Sequence, residues 1–477
     1  MTDAAPVDLS HPRSIHLVGV GGSGMSAIGI ILAAMGHRVT GSDVNVTPAW
    51  PKLEAAGVTV EVVEPADLFA AAGGHGAEVV ARSTAFPPSA TDLEVAFAAN
   101  RQVVNRAGIL AAICAARPTV AVSGTHGKTS TTAMLATLLD GVGADPSFLV
   151  GAMPVGLGDA ARWGPEGGTF VVEADESDGS FLELGAATAV VTNIDEDHLD
   201  HWGSIDRIEA GFDRFLAAAT SRVVCIDDPR VDGQVDERAL RLATAHHAVT
   251  VGEAAQARYR IHHVAIHRLT TTFGLTVDGT EVGPLSIGTP GRHHARNAAV
   301  ALATAAGLGV ELHRGVEALS AYAGVSRRFE VIGEAGGVLV VDDYAHNPGK
   351  VRALLASAKE AGWGRVVVVF QPHRYTRTRD QGDDFGAALA LADVVAVTDV
   401  YAAGEAPLPG VSGRTLLGAV LDRRPWAEVA WVPTLDDATA WAAQALRPGD
   451  LCLTVGAGDI AGLGVRLVAA LAGARVG

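Results

Sequence analysis

Lysine is nearly missing from this 477-residue chain: it stands at positions 52, 128, 350 and 359, and arginine supplies the rest of the positive charge. A lysine set inside a glycine turn is therefore a poor candidate for surface filler. Cysteine is rarer still, at Cys114, Cys225 and Cys452. Three scattered thiols make neither a disulfide framework nor a zinc site; reduced core residues of a cytoplasmic protein are expected. Positive charge is short overall. The formal net charge of −17 excludes general affinity for nucleic acid or anionic membranes, though not a local basic site for a metal–nucleotide. Apolar runs of membrane-spanning length are lacking. Met1 to Pro12 carries Asp3 and Asp8 and has no apolar stretch of the signal-peptide kind.

What is present suits packed cores: 48% of residues are hydrophobic and 19% charged. The length predicts about three domains of roughly 150 residues each. The chain is organised around Val120-Ala121-Val122-Ser123-Gly124-Thr125-His126-Gly127-Lys128-Thr129-Ser130. This reads as an apolar strand, a tight glycine turn and the start of a helix, Thr131 to Leu139. Such a turn aims backbone N–H groups at one spot, at the positive end of a helix dipole, and seats a phosphate. Lys128 adds a full charge within reach of terminal phosphates, and the Thr129 hydroxyl is placed to ligate Mg²⁺. The loop is shorter than the usual Walker pattern, which wants glycine where Val122 stands. The alternative is a chance glycine turn with a solvated lysine. It is disfavoured by strand, turn and helix in the required order.

Upstream, a strand from Ser14 to Val20 runs into Gly19-Val20-Gly21-Gly22-Ser23-Gly24 and then a helix from Met25 to Met35. The next strand ends at Ser42-Asp43, an acidic residue at the spacing of a dinucleotide fingerprint. Glycines let the backbone approach a diphosphate, and Asp43 offers an acceptor to a ribose or base; a ligand-free turn is the alternative. Further strands are expected at Val79 to Ala85 and Gln102 to Asn105, with Arg106 opening a helix to Ala115.

Downstream, a strand at Thr169 to Val172 ends in Glu173-Ala174-Asp175-Glu176-Ser177-Asp178, and another at Ala189 to Thr192 ends in Asn193-Ile194-Asp195-Glu196-Asp197-His198-Leu199-Asp200. Carboxylates at strand ends beside a phosphate loop are where an α/β sheet keeps Mg²⁺ ligands. No lysine lies between Lys128 and Lys350, so a carbamylated lysine cannot bridge metals here. Alternation through Arg258 to Thr289 with Asp278-Gly279 predicts a hairpin. Gly291-Arg292-His293-His294-Ala295-Arg296-Asn297 leads into an alanine-rich helix ending near Gly307. After a linker at Gly324 to Phe329, strands and helices alternate again. Strands are expected at Val338 to Val341, Val366 to Phe370, Val394 to Thr398 and Leu451 to Val455, with a helix from Val351. His, Arg and Tyr gathered after strand ends predict a carboxylate or phosphate grip, Arg374 and Arg377 above all. The reading is an α/β protein of three domains: a Rossmann-like one at 1–117, a central P-loop ATPase-like one at 118–325 and a C-terminal Rossmann-like one at 326–477.

These residues together resemble the Mur ligase family over nearly the whole length. The likeness rests on His16 to Ser26, Gly124 to Thr129, Glu173 to Phe181, Thr192-Asn193-Ile194 with Asp197-His198, Arg327-Arg328-Phe329, Asp342-Asp343-Tyr344 and Phe370 to Asp380. Tyr401-Ala402-Ala403-Gly404-Glu405-Ala406-Pro407 is similar to the family's muramate–alanine branch. The resemblance implies that UDP-N-acetylmuramate, ATP with Mg²⁺, and L-alanine are the small-molecule partners. It implies that the UDP-sugar meets Gly21, Gly22, Ser23, Gly24, Ser42, Asp43 and Arg106. ATP would meet Gly124, Thr125, His126, Gly127, Lys128, Thr129, Ser130, Asn297, Arg328 and Asp343, and the metal Thr129, Glu173 and His198. Lys128, Glu173, His198 and Arg328 would act in catalysis. Tyr344, His346, His373, Arg374 and Arg377 would face the amino acid. One departure stands out: the family usually has His-Asn where this chain has His293-His294. Monomer and dimer both stay open. The rival readings are a ligase that attaches a ready-made murein peptide to the same sugar nucleotide and, from another class, a nicotinamide-dependent dehydrogenase. The second leaves Lys128, Glu173 and His198 without purpose.

Overall fold

Three sheets carry the chain, an α/β protein whose computed structural model describes residues 6–473. The first sheet is fully parallel, in the order Thr59–Val62, Arg38–Asp43, Ser14–Val18, Val79–Arg82, Gln102–Asn105. Its direction of winding reverses beside Ser14–Val18, and at such a switch point a crevice opens at the carboxyl ends of the strands. Ser14–Val18 stops two residues short of the expected end because Gly19 adopts φ +76° and turns the chain. The following helix is Ser23–Ala34.

The second sheet has ten strands. Thr119–Ser123 lies in its parallel heart, between Thr188–Val191 and Phe170–Glu173. All five of its residues are buried, so the phosphate turn is launched from a rigid element. Its helix starts earlier than the apolar pattern suggests, at Lys128, and runs to Gly141. The expected hairpin forms: Thr270–Val277 and Thr280–Ile287 flank Asp278 (φ +49°) and Gly279 (φ +80°), the paired positive φ of a tight hairpin turn. The alanine-rich helix is Arg292–Gly307.

By its internal contacts the chain divides into two compact units. The first holds Met1–His263, Phe273–Leu285 and Ala295–Tyr322; the second holds Val264–Thr272, Ser286–His294 and Ala323–Gly477. Within the first, one apolar cluster runs from Ile15, Ile28 and Ile31 of the first sheet's layers to Phe170, Phe181 and Phe212 of the second's.

The second unit contains the third sheet. Glu330–Ala335 is an antiparallel edge on Val338–Asp343, followed by parallel Asp450–Val455, Arg365–Phe370, Val394–Val397 and Glu428–Trp431. The helix expected from Val351 begins at Pro348, where Asn347 caps it by accepting from the Lys350 N–H at 2.9 Å. Among the described residues no helix is long and apolar enough to cross a membrane.

Candidate active site

The loop after Thr119–Ser123 is held from behind by the end of its neighbouring strand. Thr125 N–H donates to the Asn193 carbonyl at 3.3 Å, and His126 N–H to Asn193 Oδ1 at 2.9 Å. Thr192 Oγ1 and Asn193 Nδ2 both donate to the His126 carbonyl, at 2.6 and 2.8 Å. Gly124 (φ +132°) leaves no room for a side chain, because a Cβ there would run into Thr192 Oγ1. Gly127 (φ +82°) is the residue before the helix, so the amides of Lys128, Thr129 and Ser130 open its first turn without intrahelical acceptors. That is a seat for phosphate at the positive end of the dipole.

The side chains around this seat are oxygen-rich. Thr129 Oγ1 donates to Glu173 Oε1 at 2.9 Å, and Glu173 Oε2 accepts from Gly151 N–H at 2.7 Å. Two hard oxygen donors meeting beside a phosphate seat fit Mg²⁺. His198 stands at the start of a short helix with φ +52°, its Nε2 3.8 Å from Asp197 Oδ2. Among the described residues no three His, Cys, Asp or Glu side chains form a closed metal cluster.

Lys128 is already engaged. Its ammonium lies 2.6 Å from Glu176 Oε2, 3.0 Å from the Gly124 carbonyl and 3.8 Å from Asp175 Oδ1. Burial pushes the Glu176 carboxyl up from its ordinary value, against the pull of Lys128. Burial also acts on Asp175, but the charge of Lys128 and hydrogen bonds from Ser177 outweigh it and hold that carboxyl low. The loop bearing both acids is pinned from below. Phe181 packs on Phe212 and Phe215 with ring centroids 5.4 and 5.0 Å apart, and Trp202 Nε1 donates to the Glu176 carbonyl at 2.9 Å.

Asn297 completes this side. It is buried, its Oδ1 occupies the space a side chain on Gly127 would need, and its Nδ2 has no partner among the described residues. A buried amide donor is thus left unsatisfied beside the loop. His294 is buried too; desolvation first, then His293, holds its ring well below the usual range and therefore neutral.

The first glycine turn is braced by Asp43, whose Oδ2 accepts from Gly21 N–H and Oδ1 from Val44 N–H, each at 2.8 Å. Ser42 is fully buried: its hydroxyl meets His16 Nε2 at 3.0 Å and donates to the Leu68 carbonyl at 3.1 Å. Asp43 thus supports the turn through its side chain, and Ser42 through its carbonyl, which accepts from Gly19 N–H and Val20 N–H at 2.8 and 3.2 Å. Gly22, Ser23 and Gly24 open the helix. Arg106 lies over Gly24, where a Cβ would stand 3.3 Å from its Nη1, and its charge also acts on Asp175. Arg106 therefore stands beside the first glycine turn and within electrostatic range of Asp175, on the loop after Phe170–Glu173.

In the second unit, Asp343 plays a bracing part like that of Asp43. It accepts from Phe329 N–H and Ala345 N–H at 2.8 Å each, and so fixes the turn that carries Arg328. Burial raises its carboxyl, with Arg328 pulling the other way. Arg328 lies 5.5 Å from the Tyr344 ring centroid. His346 packs edge-on against Tyr344 at 4.9 Å and 5.9 Å from His373. Its Nδ1 is 2.9 Å from the Tyr344 carbonyl, and burial lowers its pKa to about 4. Arg377 Nη1 comes within 3.4 Å of His373 Nδ1. Arg374 adopts φ +71°, held by its N–H on the Tyr401 carbonyl at 2.9 Å. Tyr401, outside the group expected to face the amino acid, stacks on His373 at 5.7 Å. The predicted group of Tyr344, His346, His373 and Arg377 is thus one cluster.

Three stretches of the chain match family descriptions. Residues 14–118 match the Mur ligase family catalytic domain, 122–305 the Mur ligase middle domain, and 327–458 the Mur ligase glutamate ligase domain. The chain belongs to the Mur ligase family. Its similarity to the UDP-N-acetylmuramate–L-alanine ligase of Pelotomaculum thermopropionicum is 39% identity over 460 residues, 96% of this chain and 97% of that one. For the same-named ligase of Acidothermus cellulolyticus it is 42% over 462 residues, 96% and 94%. The crystal structure of the UDP-N-acetylmuramate–alanine ligase of Thermotoga maritima superposes with a TM-score of 0.79 at 28% identity, over 96% of this chain and 98% of that one. A murein peptide ligase from Psychrobacter arcticus shares the fold at TM-score 0.65 and 23% identity, covering 96% and 99%.

Proposed function

We propose that this Mur ligase joins L-alanine to the lactyl carboxylate of UDP-N-acetylmuramate at the expense of ATP, a step of peptidoglycan precursor synthesis in the cytoplasm. The observation that carries this reading is a braced phosphate loop, with Lys128 and a Thr129–Glu173 oxygen pair, in a chain 39–42% identical to ligases of that name along nearly its full length.

A carboxylate is a poor electrophile, so it must be activated. A lactyl oxygen attacks the γ-phosphorus of ATP and ADP leaves, which forms an acyl phosphate. The amine of L-alanine then attacks the acyl carbon and loses a proton; the carbon–oxygen bond breaks, and inorganic phosphate departs with the former carboxylate oxygen. Phosphoryl transfer of this kind asks for positioning and neutralised charge rather than covalent help. Lys128 and the amides that open its helix supply fixed positive charge at the β- and γ-phosphates. Thr129 and Glu173, with His198, would hold Mg²⁺, which would screen the phosphate oxygens.

The proposed division is 1–117 for the UDP-sugar, 118–325 for ATP and 326–477 for the amino acid, in accord with the three matched stretches. Gly21, Gly22, Ser23, Gly24, Ser42, Asp43 and Arg106 are proposed for the UDP-sugar. Asn297, Arg328 and Asp343 are proposed as further ATP contacts, and Tyr344, His346, His373, Arg374 and Arg377 for L-alanine. Phosphate release with UDP-N-acetylmuramate, ATP, Mg²⁺ and each amino acid in turn tests the reading. Turnover is expected with L-alanine; release only with a murein tripeptide would move the chain to the peptide-attaching ligases.

A further inference from the structure

The ion pair between Lys128 and Glu176 is odd for a phosphate-binding lysine. The Glu176 side chain is 3% exposed and its Oε2 lies 2.6 Å from the ammonium. Its other oxygen, Oε1, is buried and has no hydrogen-bond partner among the described residues. A carboxylate with one oxygen on a cation and the other unsatisfied is an incompletely solvated anion, and in a low-dielectric site that is costly. Thr129 and Glu173 close on each other in the same way, while the amides at the start of the helix face the seat. The backbone of Glu176 is anchored, because Trp202 Nε1 holds its carbonyl and Phe181 is buried five residues on, so any displacement is a movement of the side chain alone.

Resting on the ATP reading above, we propose that Glu176 is a positioning residue that acts through Lys128. Its carboxylate takes the place of a phosphate oxygen at the ammonium until nucleotide arrives, and the β- and γ-phosphates must displace it. Two consequences follow from charge alone. The displaced carboxylate and the incoming phosphates repel, so Glu176 lowers affinity for any nucleotide bearing those phosphates. A nucleotide that does not reach Lys128 is indifferent to it. The ion pair also keeps the lysine extended toward the loop, since its Nζ bonds the Gly124 carbonyl at the same time, at 3.0 Å.

The test is calorimetric titration of the full chain with Mg²⁺–ATP and, separately, with AMP, for the wild type and Glu176→Gln. Glu176→Gln is expected to bind Mg²⁺–ATP at least about tenfold more tightly, the scale of relieving one competing negative charge, with AMP binding unchanged. The gain should shrink when Lys128→Met is added. Equal or weaker ATP binding by a folded Glu176→Gln protein overturns the proposal, as does an equal gain for AMP. If Glu176→Gln does not fold, Glu176→Asp, one methylene shorter, must show the same direction of change. A wild-type chain that binds no Mg²⁺–ATP would instead sink the ATP reading itself, so the two failures are distinct.

Discussion

Asn297 Oδ1 lies where a side chain on Gly127 would have to go: a Cβ at that position would stand 2.6 Å from it. The backbone there has φ +82°, so an added methyl meets conformational strain as well as a clash. In Gly127→Ala the loop is expected to relax away from that backbone and that clash, and re-forming it around ATP, at about 1–2 kcal/mol for a left-handed L-residue, raises the KM for ATP by about tenfold. Initial rates at varied ATP check this, and the melting temperature should move little.

Lys128 is the one lysine in the second sheet's part of the chain, and no other ammonium can substitute for it. Lys128→Ala is expected to lower phosphate release by about 10²–10³-fold, the scale for removing a charge-stabilising donor. Circular dichroism should show the fold retained. Near-normal turnover would refute the assignment of the loop.

His16 gives a pH signature to the first sheet. It is fully buried, with Nδ1 2.8 Å from Thr40 Oγ1 and Nε2 3.0 Å from Ser42 Oγ. Burial, with a lesser push from His75, lowers its pKa from 6.5 to about 4. The folded state therefore favours the neutral ring. Its contribution to stability is complete above about pH 6.5 and is lost as pH falls toward 4, by on the order of 3 kcal/mol in all. Carboxylates titrate in part of the same range, so the readout is a difference. Denaturant midpoints of the wild type should fall more steeply between pH 6.5 and 4 than those of His16→Gln.

Arg296 anchors the helix that carries Asn297. Its Nε is 3.0 Å from Asp227 Oδ2, and its Nη2 is 2.7 Å from Asp232 Oδ1 and 3.0 Å from Glu253 Oε1. The Asp227 side chain is wholly buried, and its Oδ1 also accepts from Ala254 N–H at 3.1 Å. Arg296→Met leaves that carboxylate without its cation and is expected to cost about 3–5 kcal/mol of stability. Urea unfolding measures this directly, and the KM for ATP should rise with it as Asn297 loses its support.

Much of this fold was legible because apolar runs end at glycines. Thr119–Ser123 and Asp450–Val455 are buried on both faces and carry the apolar runs Val120–Val122 and Leu451–Leu453, and Asp278-Gly279 announces its turn. Ser147–Leu149 and Ala161–Arg162 were not, since two or three residues carry no periodicity. In the site, Lys128, Thr129 and Glu173 follow from residue type and order. The choice of Glu176 over Asp175 or Asp178 as the partner of Lys128 does not, because it depends on how Phe181 and Trp202 seat the loop. Ser42, Asp43 and Asp343 show the converse. Polar residues at strand ends look like ligand contacts in a sequence, yet here they first satisfy backbone amides or a buried histidine.

The most direct test of the central claim follows one oxygen atom. UDP-N-acetylmuramate labelled with ¹⁸O in its lactyl carboxylate is turned over with ATP, Mg²⁺ and L-alanine, and the released phosphate is weighed by mass spectrometry. Activation through an acyl phosphate predicts one ¹⁸O in each phosphate formed from fully labelled substrate. Phosphate free of the label would contradict it.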